Sequence, residues 1–216
     1  MGVPHFPVYL FDVDGTLVDS AVDICGAIQG VLASTPRNDV PDELLRGYIG
    51  RHLFDLWQDL FPGCPAQRMD ELLAEYRTTY LARKHSGTRV YPSAVETLTQ
   101  LKGRKSTATT KGTETTRAVL ELFGLLPFFD HVQGTDGFPA KPAPEVIFKS
   151  LDFFGACPAD CLFVGDSAAD MEAARRAGIK SCAVTYGYGN REEMARWEPD
   201  YWIDDLRELL GEKAVS

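Results

Sequence analysis

Four consecutive apolar residues, Val8-Tyr9-Leu10-Phe11, stop abruptly at the polar string Asp12-Val13-Asp14-Gly15-Thr16. That is the profile of a strand buried on both faces that runs out into a loop. Cys161-Leu162-Phe163-Val164 repeats it ahead of Gly165-Asp166-Ser167, and Ser181-Cys182-Ala183-Val184 closes on Thr185 and the glycine-rich Tyr186-Gly187-Tyr188-Gly189. Ser106-Thr107-Ala108-Thr109 and His131-Val132-Gln133 are weaker strand candidates. Between these runs, apolar residues recur at helical spacing from Ser93 to Leu101, Glu114 to Phe123, Pro144 to Phe154 and Ala168 to Ala177. Gly124 and Gly178 stand where C-terminal caps belong. Strands alternating with helices predict an α/β fold, a parallel sheet covered on both faces by right-handed crossovers. Ligands of such sheets collect beyond the carboxyl ends of the strands.

The alternation breaks between about Asp19 and Arg89, where helix-like patterns follow one another without a convincing strand. One helix begins near Gln67 and continues through Tyr76-Arg77-Thr78-Thr79-Tyr80-Leu81. The expected organisation is therefore an α/β core from residues 1–18 and 90–216 with a helical domain, residues 19–89, inserted after the first strand. A length of 216 residues accommodates both.

Composition narrows the partners. With 44% hydrophobic and 25% charged residues the chain is an ordinary globular one, and a net charge of -9 disfavours nucleic acid, which is held by clustered Lys and Arg. Cys25, Cys64, Cys157, Cys161 and Cys182 form no CxxC pair and are odd in number, which argues for reduced thiols rather than disulfides or a thiolate zinc site. No apolar run approaches the ~20 residues that span a bilayer, and the first residues carry no basic stretch before an apolar one. The expectation is a cytoplasmic protein, monomer or homodimer, that engages neither membrane nor nucleic acid.

Chemistry concentrates at the strand ends. Asp12 and Asp14 lie at i and i+2 on a turn that Gly15 bends, an arrangement that suits a nucleophile followed by an acid/base, although a lone Asp-x-Asp also forms solvated Asx turns. Asp166 and Asp170 stand one helical turn apart and can face the same loops, as ligands of a hard divalent cation or as parts of a helix N-cap. Carboxylates gathered at neighbouring strand ends repel one another unless a cation offsets them. Thr109-Thr110-Lys111-Gly112 precedes a helix whose N-terminus can hold phosphate oxygens, and Lys141-Pro142-Ala143-Pro144-Glu145 places a lysine before another.

These four elements in this order, Asp12-Val13-Asp14-Gly15-Thr16, Thr109, Lys141-Pro142 and Gly165-Asp166-Ser167-Ala168-Ala169-Asp170, resemble the haloacid dehalogenase superfamily, in particular its phosphoglycolate-phosphatase-like phosphatases. The resemblance runs from Phe11 to Gly189 and implies a Rossmann-like parallel sheet core with an inserted α-helical cap domain. It implies Asp12 as nucleophile, Asp14 as general acid/base with its carbonyl on the metal, and Thr109 and Lys141 as phosphate-orienting residues. Magnesium is the implied cofactor, with Asp166 a direct ligand and Asp170 a ligand or an outer contact. Gly15, Thr110 and, from the cap loop Gly50-Arg51-His52, Arg51 are the implied substrate contacts. Thr110 stands where the family often has Asn, and Gly137-Phe138-Pro139 lengthens the loop before Lys141. The implied substrate is a small phosphorylated metabolite, a phosphoglycolate-like monoester hydrolysed through an aspartyl-phosphate. Alternatives are a sugar-phosphate mutase or pyrophosphatase of the same superfamily, or a non-catalytic binding module on the same fold. Asp14 disfavours a dehalogenase, which has a non-acidic residue there.

Overall fold

In a computed structural model that describes residues 2–211, the chain opens with β1 (Val8–Phe11), makes a tight turn into β2 (Val18–Asp19) and enters four helices, α1 (Ala21–Leu32), α2 (Asp42–Arg46), α3 (Leu53–Leu60) and α4 (Ala66–Ala82). It returns through β3 (Arg89–Val90) to α5 (Ala94–Gln100), β4 (Arg104–Thr107), α6 (Thr113–Leu122), α7 (Glu145–Phe154), β5 (Cys161–Gly165), α8 (Ala168–Ala177), β6 (Lys180–Val184), α9 (Arg191–Ala195) and β7 (Tyr201–Ile203). Five strands form one sheet in the order β4-β1-β5-β6-β7, every neighbouring pair parallel.

Strand alternation explains why both faces of this sheet must be covered. Tyr9 and Phe11 of β1 and Leu162 and Val164 of β5 point into one apolar cluster with Leu98, Leu120 and Leu206. Val8, Leu10, Cys161 and Phe163 point into a second, with Val146, Ile147 and Ala174 from α7 and α8. Both strands are buried along their whole length. Truncating a side chain as central as Phe163 costs about 3–5 kcal/mol, a large share of the roughly 5–15 kcal/mol that stabilises a typical domain. The helices α1 to α4 close over a third cluster of their own, centred on fully buried Trp57, Leu45, Leu56 and Leu72. No helix among the described residues is long and apolar enough to cross a membrane.

The structure moves several expected boundaries. β4 ends at Thr107, two residues before the predicted strand end, which leaves Thr109 on the loop beyond the sheet. The strand is hard to read because its first residues are Arg104 and Lys105, polar at one edge of the sheet. The segment His131-Val132-Gln133 contributes only an isolated bridge, His131 to Ser106. The Thr107 hydroxyl replaces the next ladder rung, donating to Gln133 O and accepting the Gln133 N–H, each at 2.9 Å. The antiparallel pair β2–β3 and the edge strand β7 carry too few residues to leave a period in the sequence.

Candidate active site

The carboxyl ends of β1, β4 and β5 converge on one buried group of charges. β1 ends at Phe11, and the Asp12 N–H donates to Val164 O at 2.9 Å, so the carboxylate of Asp12 leaves the sheet directly beside the end of β5. Asp12, Asp166 and Asp170, all buried, each offer an oxygen within 4.8 Å of the others. Lys141 Nζ sits between two of them, 2.9 Å from Asp12 Oδ1 and 2.5 Å from Asp170 Oδ1, with no side-chain exposure. The contact to Asp12 is an ion pair without hydrogen-bond alignment, and Asp12 Oδ1 has no hydrogen-bond partner.

Each member of the group is held from outside. Asp170 Oδ2 accepts from the Ser167 N–H at 2.9 Å and from the Ser167 hydroxyl at 2.7 Å, a reciprocal cap that starts α8 and fixes the carboxylate. Asp170 therefore both caps its helix and faces Lys141. Asp166 accepts from the Thr16 hydroxyl at 3.2 Å and the Tyr188 N–H at 2.8 Å. Its seat exists because two glycines leave room for it. A Cβ on Gly15, whose φ is +87°, would fall 2.2 Å from Asp166 Oδ2, and one on Gly187 would fall 2.3 Å from Asp166 Cβ. The Gly15 N–H is taken by Val18 O at 2.8 Å, so this residue contributes space and a turn rather than a free amide for phosphate.

Burial raises the pKa of Asp12 to about 6, opposed by Lys141 and reinforced by Asp170 and Asp14. Burial, with Asp170 and Asp12, also holds the Asp166 carboxyl well above the usual range. Desolvation pulls the Lys141 ammonium down, but Asp12 and Asp170 outweigh it and keep it cationic. One buried ammonium, in contact with two carboxylates, thus stands against a buried cluster of three. A hard divalent cation coordinated by oxygen would balance that charge and use the unsatisfied Asp12 Oδ1, so the residues fit magnesium.

The side chain of Asp14 is not in this group. The four carboxylates expected together divide into three, Asp12, Asp166 and Asp170, and one, Asp14, which has partners of its own. Asp14 Oδ1 accepts from the Ser20 hydroxyl at 2.6 Å, and Lys111 Nζ stands 3.2 Å from Oδ2. Asp14 lines a cavity of about 610 Å³ between the strand ends and the helices α1 and α4. Thr110 and Lys111 line it from below, Tyr76, Arg77 and Tyr80 from α4, and Arg51 and His52 from the loop before α3.

Thr109 is buried on the loop after β4, its hydroxyl accepting the Lys111 N–H at 3.4 Å. The start of α6 is less open to an anion than the sequence suggests, because the Thr113 N–H is already bound by both oxygens of Asp136, at 3.1 and 3.2 Å. Arg51 is exposed, its guanidinium 5.4 Å from the Tyr48 ring, and His52 Nδ1 caps α3 by accepting the Phe54 N–H at 3.2 Å.

Two contributors are missing from the sequence reading. The loop Thr185–Gly189 reads there only as a strand terminus, yet Tyr188 binds Asp166 through its N–H and fastens the start of α1. Its hydroxyl accepts from the N–H groups of Ser20 and Ala21 at 2.6 and 3.1 Å and bonds Asp19 Oδ1 at 2.7 Å. Lys111 is the other. Its one signal is adjacency to Thr109 and Thr110 in a loop already marked for phosphate.

Comparison with known proteins bears on the chain as a whole. The sequence profile of haloacid dehalogenase-like hydrolases matches residues 9–184. The chain is 35% identical over 211 residues to phosphoglycolate phosphatase 1 of Pseudomonas aeruginosa, covering 93% of this chain and 77% of that protein. It is 32% identical over 216 residues to a phosphoglycolate phosphatase of Aquifex aeolicus, covering 97% and 99%. Among solved structures, a haloacid dehalogenase-like hydrolase from Streptococcus pneumoniae superposes with a TM-score of 0.86 at 26% identity, over 95% of this chain and 97% of the other.

Proposed function

The chain belongs to the haloacid dehalogenase-like hydrolase family, and from that premise we propose that it is a magnesium-dependent phosphatase that cleaves a small phosphomonoester through an aspartyl-phosphate on Asp12. The observation that carries the reading is the division of the carboxylates. Three are clustered beside a buried lysine, and the fourth lines the cavity.

In this reading the phosphoryl group enters between Asp12 and the cavity, with Lys141 and the Thr109 hydroxyl on its oxygens. Asp12, Asp166, Asp170 and the Asp14 carbonyl would hold the magnesium, Asp170 directly or as an outer contact. The ion's contribution is to offset the negative charge that otherwise keeps an anionic nucleophile from an anionic phosphate. The Asp12 carboxylate attacks phosphorus as the bond to the ester oxygen breaks, and Asp14 supplies the proton that this oxygen needs. Asp14 then takes a proton from the water that attacks the aspartyl-phosphate, releasing phosphate and restoring Asp12. Water must be kept out of the first step and admitted to the second. The helices of residues 19–89, hinged at the β2–β3 pair, serve as the cap that does this, and Thr110 and Arg51 contact the leaving group from the floor and rim of the cavity.

Removing the metal tests the reading. Exhaustive chelation is expected to abolish hydrolysis of 4-nitrophenyl phosphate, with magnesium restoring it and calcium restoring little, because the larger ion tolerates looser coordination and misplaces the phosphate. Full activity in the chelated protein would refute the metal-dependent reading.

A further inference from the structure

Lys111 has no role in the chemistry above, yet it is the cation nearest to Asp14. It lies on the loop between β4 and α6, its side chain 11% exposed, with Nζ 3.2 Å from Asp14 Oδ2. Tyr80 of α4 holds it from the opposite side, with Oη 3.2 Å away and the ring centroid 4.6 Å from Nζ. Tyr76 stacks on Tyr80 at 5.7 Å and supports it. Burial works against the charge, but Asp14 and the two tyrosines outweigh it, so the ammonium persists. An ammonium has three N–H donors; Tyr80 accepts from one, and Asp14 adds an ion pair.

The charge lining the cavity argues for a second anion on the substrate. In a chain of net charge -9, three cations, Arg51, Arg77 and Lys111, line this cavity against two carboxylates, Asp14 and Asp136. The transferred phosphate already has Lys141 on the other side of Asp12. A further set of cations beyond Asp14 therefore has no partner in a monoester whose leaving group is neutral. Arg51 is exposed at the rim, whereas Lys111 is at the floor.

Resting on the phosphatase reading, we propose that Lys111 is a specificity-determining residue that binds a second anionic group on the leaving group, with Tyr80 positioning its ammonium. Distance restricts where that group sits. The leaving oxygen must come within ~3 Å of the Asp14 carboxyl to receive its proton, and Lys111 Nζ is 3.2 Å from the same carboxyl. The leaving oxygen is then within about 6 Å of Nζ, and a second anion bound to Nζ is within about 9 Å of that oxygen. A carboxylate bonded to the ester carbon, as in a 2-phospho-carboxylic acid, falls within that range.

Calorimetric binding of 2-phosphoglycolate and of ethyl phosphate, its analogue without the carboxylate, tests this with magnesium present and Asp12→Asn as the parent so that neither ester turns over. The parent is expected to prefer 2-phosphoglycolate by about thirtyfold, the range of a hydrogen-bonded charge pair. Lys111→Met reduces the preference to within about threefold. Lys111→Arg retains part of it, and Tyr80→Phe loses part. Ethyl phosphate binding serves as the control that each variant is folded. A preference unchanged in Lys111→Met overturns the assignment, as does a parent that binds both esters equally, or a preference abolished by Arg51→Met while Lys111→Met keeps it. Failure of the phosphatase reading is seen separately, as absence of hydrolysis of either ester by the unmodified chain.

Discussion

Asp12→Asn is expected to abolish turnover of 4-nitrophenyl phosphate, by at least ~10⁴-fold in kcat, as loss of a covalent nucleophile does elsewhere. The amide keeps the shape of the side chain and its place at the end of β1, but its nitrogen and neutral oxygen cannot displace an ester oxygen from phosphorus. Stability should move the other way. The folded pKa of Asp12 is raised to about 6 from the 3.8 of a free carboxyl, so the folded state binds that proton more tightly than the unfolded chain. Without metal, the carboxylate thus costs stability increasingly as pH rises from about 4 to about 6. Asn removes that cost, and the metal-free variant should melt no lower than the unmodified protein at pH 7.5. Loss of activity without loss of Tm separates a chemical role from a structural one. Residual activity within tenfold of the unmodified protein would remove Asp12 as the nucleophile.

Lys141→Met should damage both rate and stability. The methionine fills most of the same space but leaves the Asp12 and Asp170 carboxylates facing each other, buried, with no cation between them. Breaking a buried pair in this way costs about 3–5 kcal/mol. kcat/KM should fall by at least ~10³-fold, because a fixed positive charge on the transferring phosphate is lost. Saturating magnesium should restore part of the stability but little of the rate, since the ion offsets the carboxylates without replacing the ammonium. Lys141→Arg should not rescue, because the side chain has no exposure and a planar guanidinium is larger than the ammonium it would replace. Urea unfolding with and without magnesium reads the first effect. A destabilisation under about 1 kcal/mol would mean that the charges are not coupled as the geometry requires.

The parts of this site that were legible in the sequence share a cause. β1 and β5 are buried on both faces, so their apolar runs and polar ends mark where the sheet stops and where Asp12 and Asp166 emerge. The α8 start was legible for a similar reason, since Ser167 and Asp170 satisfy the same backbone amides that define the helix end. What stayed hidden depends on contacts between distant segments. Lys111 and Tyr80 are 31 residues apart, and only the packing of α4 over the β4–α6 loop joins them. The distance from Tyr188 to Ser20 is likewise set by the fold and leaves no period in either segment. The separation of Asp14 from the other carboxylates rests on its contacts with Ser20 and Lys111, the latter from a segment far along the chain. Edge elements such as β4 and β7 blur because a strand at the edge of a sheet tolerates polar residues, as at exposed Arg104 and at Lys105.

The central claim is that phosphate passes through Asp12, and rapid mixing of the Asp14→Ala variant with 4-nitrophenyl phosphate tests it most directly. Nitrophenolate needs little protonation to leave, so the first step should survive in part, whereas attack of water on the aspartyl-phosphate loses its base. The account predicts a burst of one nitrophenolate per chain, followed by a slow steady rate, with acid-stable phosphate bound to protein in the same amount. A linear release from the first turnover, with no protein-bound phosphate at any time, would contradict it.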